Sequence, residues 1–257
     1  MSELKVTLIQ TPIVWENSAQ ARNQIEELIN SSGSKTDIIV LCEMFTTGFS
    51  MNSEILAETM DGPTVNWMQS IAQKQDALVI GSLIILEAGY YFNRCICAFP
   101  DGSILYYDKV HLFTLADEHL HFTKGNKKLV FDFRGWKLMP FICYDLRFPV
   151  WLRNVYQVDL MIGVAQFPAR RRQAWLSLLT ARSIENVCYT IGVNGLGTDG
   201  NNIEYSGDSG VWDYEGNRIL DLGSEVKIQT ASLSLEKLSA FRRAYPFLKD
   251  MDKFSLG

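Results

Sequence analysis

Two strand-like segments, Ala77–Leu86 and Tyr90–Phe99, stand side by side with only Glu87-Ala88-Gly89 between them. The turn Pro100-Asp101-Gly102 then leads into a third, SILYYDKV (103–110). Connections this short make antiparallel hairpins, whereas a parallel sheet needs long helical crossovers. A purely doubly wound sheet is therefore excluded. Elsewhere strands and helices do alternate. Leu4–Gln10 reads as a strand, and Ser18 is placed to cap a helix to about Ile29 with Ala21, Ile25, Leu28 and Ile29 inward. Asp37–Glu43 (DIIVLCE) is continuously apolar inside its ends and reads as a strand buried on both faces. Pro63 suits the first turn of a second helix, with Val65, Met68, Ile71 and Ala72 inward.

Arg134-Gly135-Trp136 joins strand LVFDF to strand KLMPFIC, which ends at Cys143. A helix is expected over Pro149–Val158, then strand DLMIGVAQ (159–166). Ala169–Val187 reads as the strongest helix, with Trp175, Leu178, Leu179 and Ile184 spaced for one face. Strand CYTIGVN, a hairpin around YEGN (214–217), strand KIQTASLS and a helix capped by Ser234 complete the chain. The fold class is α/β, or α+β in schemes that weigh the hairpins. It is expected as a mixed sheet, or as two sheets face to face with helices outside. Apolar segments recur throughout and nothing reads as a linker, so residues 1–257 are taken as a single domain.

A net charge of −5, with Arg170-Arg171-Arg172 as the one basic tract, argues against a nucleic-acid partner. No apolar run reaches the roughly 18 residues of a membrane span, and the N-terminal stretch lacks a signal-peptide pattern. A cytoplasmic protein is expected. The five cysteines, at 42, 95, 97, 143 and 188, form no disulfide framework. A thiol in an apolar run is ordinarily core.

Three strand-like runs nevertheless finish on reactive side chains: Glu43, Lys109 and Cys143. Ligands of helix-flanked sheets bind beyond the carboxyl ends of strands. A nearby cation favours a thiolate, so Lys109 suits Cys143. Glu43 suits a proton acceptor and donor. A sharp turn after Cys143 frees the Tyr144 N–H for an oxyanion. The pattern alone leaves open whether the three meet. His111, His119 and His121 raise a zinc site, with His119 and His121 on one strand face, but no cysteine pair has finger spacing. No metal and no cofactor are expected.

The segments LCEMFTTGF (41–49), YYDKVHLF (106–113), ICYDLRFP (142–149) and LLTARSIENVCY (178–189) resemble, in order, the nitrilase or carbon–nitrogen hydrolase superfamily. The resemblance spans nearly the whole chain. It implies a four-layer α-β-β-α sandwich with two mixed β-sheets, and a homodimer. It implies the catalytic roles of general acid/base for Glu43, oxyanion and thiolate stabiliser for Lys109, and nucleophile for Cys143. It assigns Glu118, in LADEHLH, to an auxiliary role. EMFTTGFSM, DKVHLFTLADEHLHF and CYDLRFPVW look most like the ω-amidase branch, which deaminates short α-keto amides such as 2-oxoglutaramate and 2-oxosuccinamate. A small-molecule amide is thus the expected partner. A sibling nitrilase, carbamoylase or other amidase, and a non-catalytic binding protein on the same fold, are the alternatives.

Phe49, Phe113 and Phe167 are expected to wall the pocket. Arg147 is a candidate for a substrate carboxylate, although pairing with Asp145 to brace the turn is favoured. Arg171 is a second candidate, weighed against a solvated helix end. The chain departs from the family pattern at Gln166-Phe167-Pro168, where Asn-Trp-Pro is frequent. It departs again at Ala174-Trp175, where His-Trp is frequent, and at Asn194-Gly195, where Asn-Arg is frequent.

Overall fold

The computed structural model describes residues 3–33 and 35–255. In chain order the elements are β1 (Glu3–Gln10), α1 (Ser18–Ser32), β2 (Ile38–Val40), α2 (Ser53–Leu56), α3 (Pro63–Gln75), β3 (Leu78–Glu87), β4 (Tyr90–Ala98), β5 (Ile104–Asp108), α4 (Glu118–His121), β6 (Phe131–Phe133), β7 (Trp136–Ile142), β8 (Leu160–Ala165), α5 (Arg172–Asn186), β9 (Tyr189–Asn194), β10 (Leu196–Thr198), β11 (Glu204–Ser206), β12 (Gly210–Trp212), β13 (Arg218–Asp221), β14 (Lys227–Ser234) and α6 (Leu235–Ala244).

Two six-stranded sheets carry the fold, in the orders β14-β1-β2-β3-β4-β5 and β13-β12-β9-β8-β7-β6. Each is mixed in the same way. Three central parallel strands, β1-β2-β3 or β7-β8-β9, are flanked by antiparallel ones. Side-chain alternation builds the layers. On β7 and β8, Leu138, Ile142, Leu160, Ile162 and Val164 join Val6, Leu8 and Ile80 in the core between the sheets. Their neighbours Met139, Phe141 and Met161 point the other way, onto Trp175 and Leu179 of α5. Helices α1 and α3 bury Ile25, Ile29, Val65 and Met68 against the first sheet. The order is helix, sheet, sheet, helix, the four-layer sandwich.

Several local expectations change. Asn17, not Ser18, caps α1, because its side chain accepts from the Gln20 N–H one turn in. The strand expected over Asp37–Glu43 pairs only at Ile38–Val40, so Glu43 lies in the turn beyond it. The helix expected over Pro149–Val158 is a series of turns. Asn154 holds it by bonding Val158 at both N–H and C=O with its side chain, while its own main-chain N–H donates to Asn186 Oδ1. Side-chain bonds of this kind displace helical ones. On α5, Ile184 is 50% exposed. It sits nine positions from Trp175, half a turn out of phase at 3.6 residues per turn. The inward face is instead Trp175, Leu179, Arg182, Ser183 and Asn186.

Candidate active site

Three segments leave the carboxyl ends of β2, β5 and β7 and converge. At β7 the chain turns sharply. Cys143 has φ 43°, a left-handed conformation that non-glycine residues seldom adopt, and opens a 3₁₀ turn over Cys143–Arg147. Asp145, fully buried, holds that turn. It accepts from the Ile142 N–H (3.0 Å), the Tyr107 hydroxyl (2.8 Å) and the His111 N–H (3.0 Å), and bonds His111 Nδ1 (2.7 Å). The His111 ring stacks on Phe148 at 3.7 Å. The Tyr144 N–H, one residue beyond the thiol, has no hydrogen-bond partner among the described residues.

Behind the thiol lies a buried charge cluster. Lys109 Nζ donates to Glu43 Oε1 at 2.7 Å and approaches both oxygens of Glu118 at 3.0 Å. All three side chains are at most 1% exposed. Two carboxylates sharing one ammonium leave an excess of negative charge, which neutral donors spread. Asn93 Nδ2 donates to Glu43 (2.7 Å) and Glu118 (3.1 Å). The Phe113 N–H donates to Glu118 Oε2 (2.6 Å), and the Gln166 N–H to Glu43 Oε2 (2.8 Å). Ser82 completes the frame, donating to Asn93 Oδ1 and accepting the Met44 N–H.

These surroundings set the protons. Burial opposes the Lys109 charge, but Glu118 and Glu43 overcome it and hold the ammonium well above its usual range. Burial, with the Glu43 charge, raises Glu118 from the usual carboxylate value, against the pull of Lys109. Burial likewise drives the Cys143 thiol well above its ordinary value. The Glu43 charge adds to this, and Lys109 only partly offsets it. Proximity of Lys109 alone suggests a standing thiolate; burial and the Glu43 charge instead favour the protonated thiol.

Cys143 opens onto a cavity of about 110 Å³. Phe49, Phe113, Tyr144 and Phe167 wall it, and Lys109 lies 5.1 Å from the Phe49 ring centre. The cavity also takes in Leu115, Pro168, Ile203 and Tyr205, which no sequence signal singled out. Arg147 does not pair with Asp145, whose oxygens are already taken. Its guanidinium lies 5.6 Å from the Phe167 ring centre, in the cavity wall. Arg171 lies over Phe113 at 5.0 Å and also lines the wall, so it is no solvated helix end. Burial, then Arg170, lowers Arg171 from the usual arginine value. Among the described residues neither Arg147 nor Arg171 makes an ion pair. Arg172 does, gripping Asp208 with two bonds of 2.7 Å. His119 and His121 sit on helix α4, not a strand, and are exposed. No group of three or more His, Cys, Asp or Glu side chains among the described residues is placed to hold a metal.

The sequence signature of the family described as Carbon-nitrogen hydrolase matches residues 5–243. The chain belongs to the carbon-nitrogen hydrolase family. It is 42% identical to the "Omega-amidase YafV" of Escherichia coli K12 over the full length of both chains. It is 30% identical to the "2-oxoglutaramate amidase" of Bacillus subtilis, covering 96% of this chain and 97% of that one. A crystal structure of a CN-hydrolase superfamily protein from Xanthomonas campestris, with an arsenic adduct in its active site, superposes with a TM-score of 0.98 at 38% identity, covering all of both chains.

In this carbon-nitrogen hydrolase two of the departures from the family pattern meet in space. Gln166 is 4% exposed, and its Nε2 donates to the main-chain oxygen of Glu43 at 3.1 Å. A Cβ at position 195 would stand 2.1 Å from Gln166 Oε1, so Gly195 is the space this longer amide occupies. Gln166 thereby holds Glu43 at both carboxylate and backbone. Sequence reading of the hydrolase missed Asn93. The signal available was the pair Asn93-Arg94, two polar residues inside an otherwise apolar strand, both buried.

Proposed function

We propose that this hydrolase is an ω-amidase, releasing ammonia from the terminal amide of short α-keto dicarboxylate monoamides such as 2-oxoglutaramate and 2-oxosuccinamate. The observation that carries the reading is a thiol on a left-handed residue beside a buried Glu43–Lys109–Glu118 cluster, opening on a small cavity whose wall holds two arginines that make no ion pair among the described residues. The names borne by the E. coli and B. subtilis relatives support the substrate class.

In this reading Cys143 Sγ attacks the amide carbonyl as its proton passes to Glu43, forming the C–S bond. The oxyanion sits between the Tyr144 N–H and the Lys109 ammonium. Collapse breaks the C–N bond, and Glu43 returns the proton to the departing ammonia. A thioester remains. Glu43 then takes a proton from water, whose oxygen displaces the thiol and releases the acid. Glu118 keeps Lys109 charged and in place. Arg147 and Arg171 supply the positive charge for the substrate carboxylate, and the phenylalanines exclude water. Residues 1–257 act as one hydrolase unit, as a homodimer in the cytoplasm; light scattering tests the assembly.

An ammonia-release panel tests the reaction. Saturable release from 2-oxoglutaramate or 2-oxosuccinamate, with little from nitriles or N-carbamoyl amino acids, is the expected result. Equal or better turnover of those other classes would sink the ω-amidase assignment. Cys143→Ala is expected to lose at least about three orders of magnitude in turnover. An acyl adduct mapped to Cys42, Cys95, Cys97 or Cys188 would move the nucleophile elsewhere.

A further inference from the structure

A second groove, about 460 Å³ in volume, lies against β5 and the loop Lys124–Leu129 and shares no lining residue with the Cys143 cavity. Lys124, Lys127 and Lys128 all line it, and among the described residues none of them makes an ion pair. Lys128 is partly buried, with its ammonium near the ring faces of Trp151 (5.1 Å) and Tyr156 (5.7 Å). Burial lowers it from the usual lysine value, the mark of a cation without an anion beside it. The one acid among the lining residues, Asp108, is already held by Arg94 through bonds of 2.6 and 3.0 Å.

The loop is firmly seated. The Gly125 N–H donates to the Lys109 carbonyl at 2.8 Å. A Cβ at Gly125 would stand 2.2 Å from the Asp108 oxygen, so only glycine permits this approach. A loop fixed in this way carries its lysines on a backbone that needs no ordering on binding. We propose that this groove is a binding site for a small phosphate-bearing anion. Planar carboxylates are matched by the arginine fork, whereas several lysines and an amide, here Asn126, suit a compact, multiply charged tetrahedral oxyanion.

Calorimetric titration of the full chain with inorganic pyrophosphate tests this, with ADP and citrate as parallel arms. Saturable pyrophosphate binding is expected, weakened about tenfold or more by Lys127→Ser and by Lys128→Met, since a bond to a charged group contributes roughly 1.5–3 kcal/mol. Lys124 and Lys127 are exposed, so Lys124→Ser and Lys127→Ser keep the fold, and their melting temperatures verify that. ADP binding tighter than pyrophosphate assigns the site to an organic phosphate ester; weaker binding assigns it to the inorganic ion. Absence of saturable binding, binding unchanged by the lysine substitutions, or citrate binding as tightly as pyrophosphate would each overturn the proposal. Amide turnover is not read, so the outcome is separate from that of the ω-amidase assignment.

Discussion

Two buried carboxylate centres flank Cys143, and they are built on opposite principles. Glu43 and Glu118 share a single ammonium and remain short of positive charge. Asp145, equally buried, is met by an N–H at the strand end, a hydroxyl, and the main chain and ring of His111. A carboxylate surrounded by converging donors is held fixed and braces a turn. A pair of carboxylates around one lysine can exchange a proton with a neighbour at little structural cost, because the other carboxylate keeps the lysine neutralised. The difference separates a cluster suited to proton exchange from a carboxylate that fixes the turn at Cys143.

The largest expected effect lies in the first centre. Glu43→Gln should lower turnover by about a thousandfold, within the range for a general base, while Glu118 still neutralises Lys109 and the melting transition persists. Retention of more than about a tenth of wild-type turnover would break the distinction. The same variant sharpens it by titration. Glu43 is one cause of the raised Cys143 value, so removing its charge shifts ionisation to lower pH and leaves more thiolate at any pH on the rise. Ultraviolet thiolate absorbance, with Cys143→Ala subtracted, reads this; a shift to higher pH contradicts the arrangement.

Asp145→Asn addresses the second centre. It turns one of the two accepting oxygens into a donor facing donors, so about 2–3 kcal/mol of stability should be lost in denaturant melts. Turnover should fall by roughly ten- to a hundredfold as the thiol shifts. Unchanged stability would show that Asp145 is no brace. Gly195→Ala should cost about 1–3 kcal/mol through overpacking against Gln166. In a Gln166→Ala background the same change should be nearly neutral, and an additive cycle would mean that the two residues do not share the space. The smallest effect is expected of Tyr107→Phe, about 1 kcal/mol, since Asp145 keeps its other donors. A loss as large as that of Asp145→Asn would make Tyr107 the principal support.

Local patterns were legible where packing and propensity agree. Pro63 stands at the first turn of α3, and Val65, Met68, Ile71 and Ala72 are all buried. Ser234 caps α6 by accepting from the Lys237 N–H. They failed where a side chain replaced backbone bonding, as Asn154 does, or where an apolar residue lay out of helical phase, as Ile184 does. In the site, residue type and strand-end position marked Glu43, Lys109 and Cys143. Asn93 escaped because its bond to Glu43 spans 50 residues, while Gln166 was marked only as a departure from the family pattern, its bond to Glu43 spanning 123. Arg147 was misjudged for a related reason. Proximity in sequence to Asp145 suggested a pair, but Asp145 was already filled from β5 and the His111 segment.

The sequence by itself determined the inventory: most of the strands and helices, that hairpins rule out a purely parallel sheet, which reactive side chains follow those strands, and to which family the order of motifs belongs. The tertiary structure decided the chemistry of the meeting point. It set two carboxylates on one lysine, brought the thiol beside them, and placed Arg147 and Arg171 in the cavity wall. Those outcomes follow from burial and from contacts between remote segments, and ionisation depends on the surroundings of a group rather than on its neighbours in the chain.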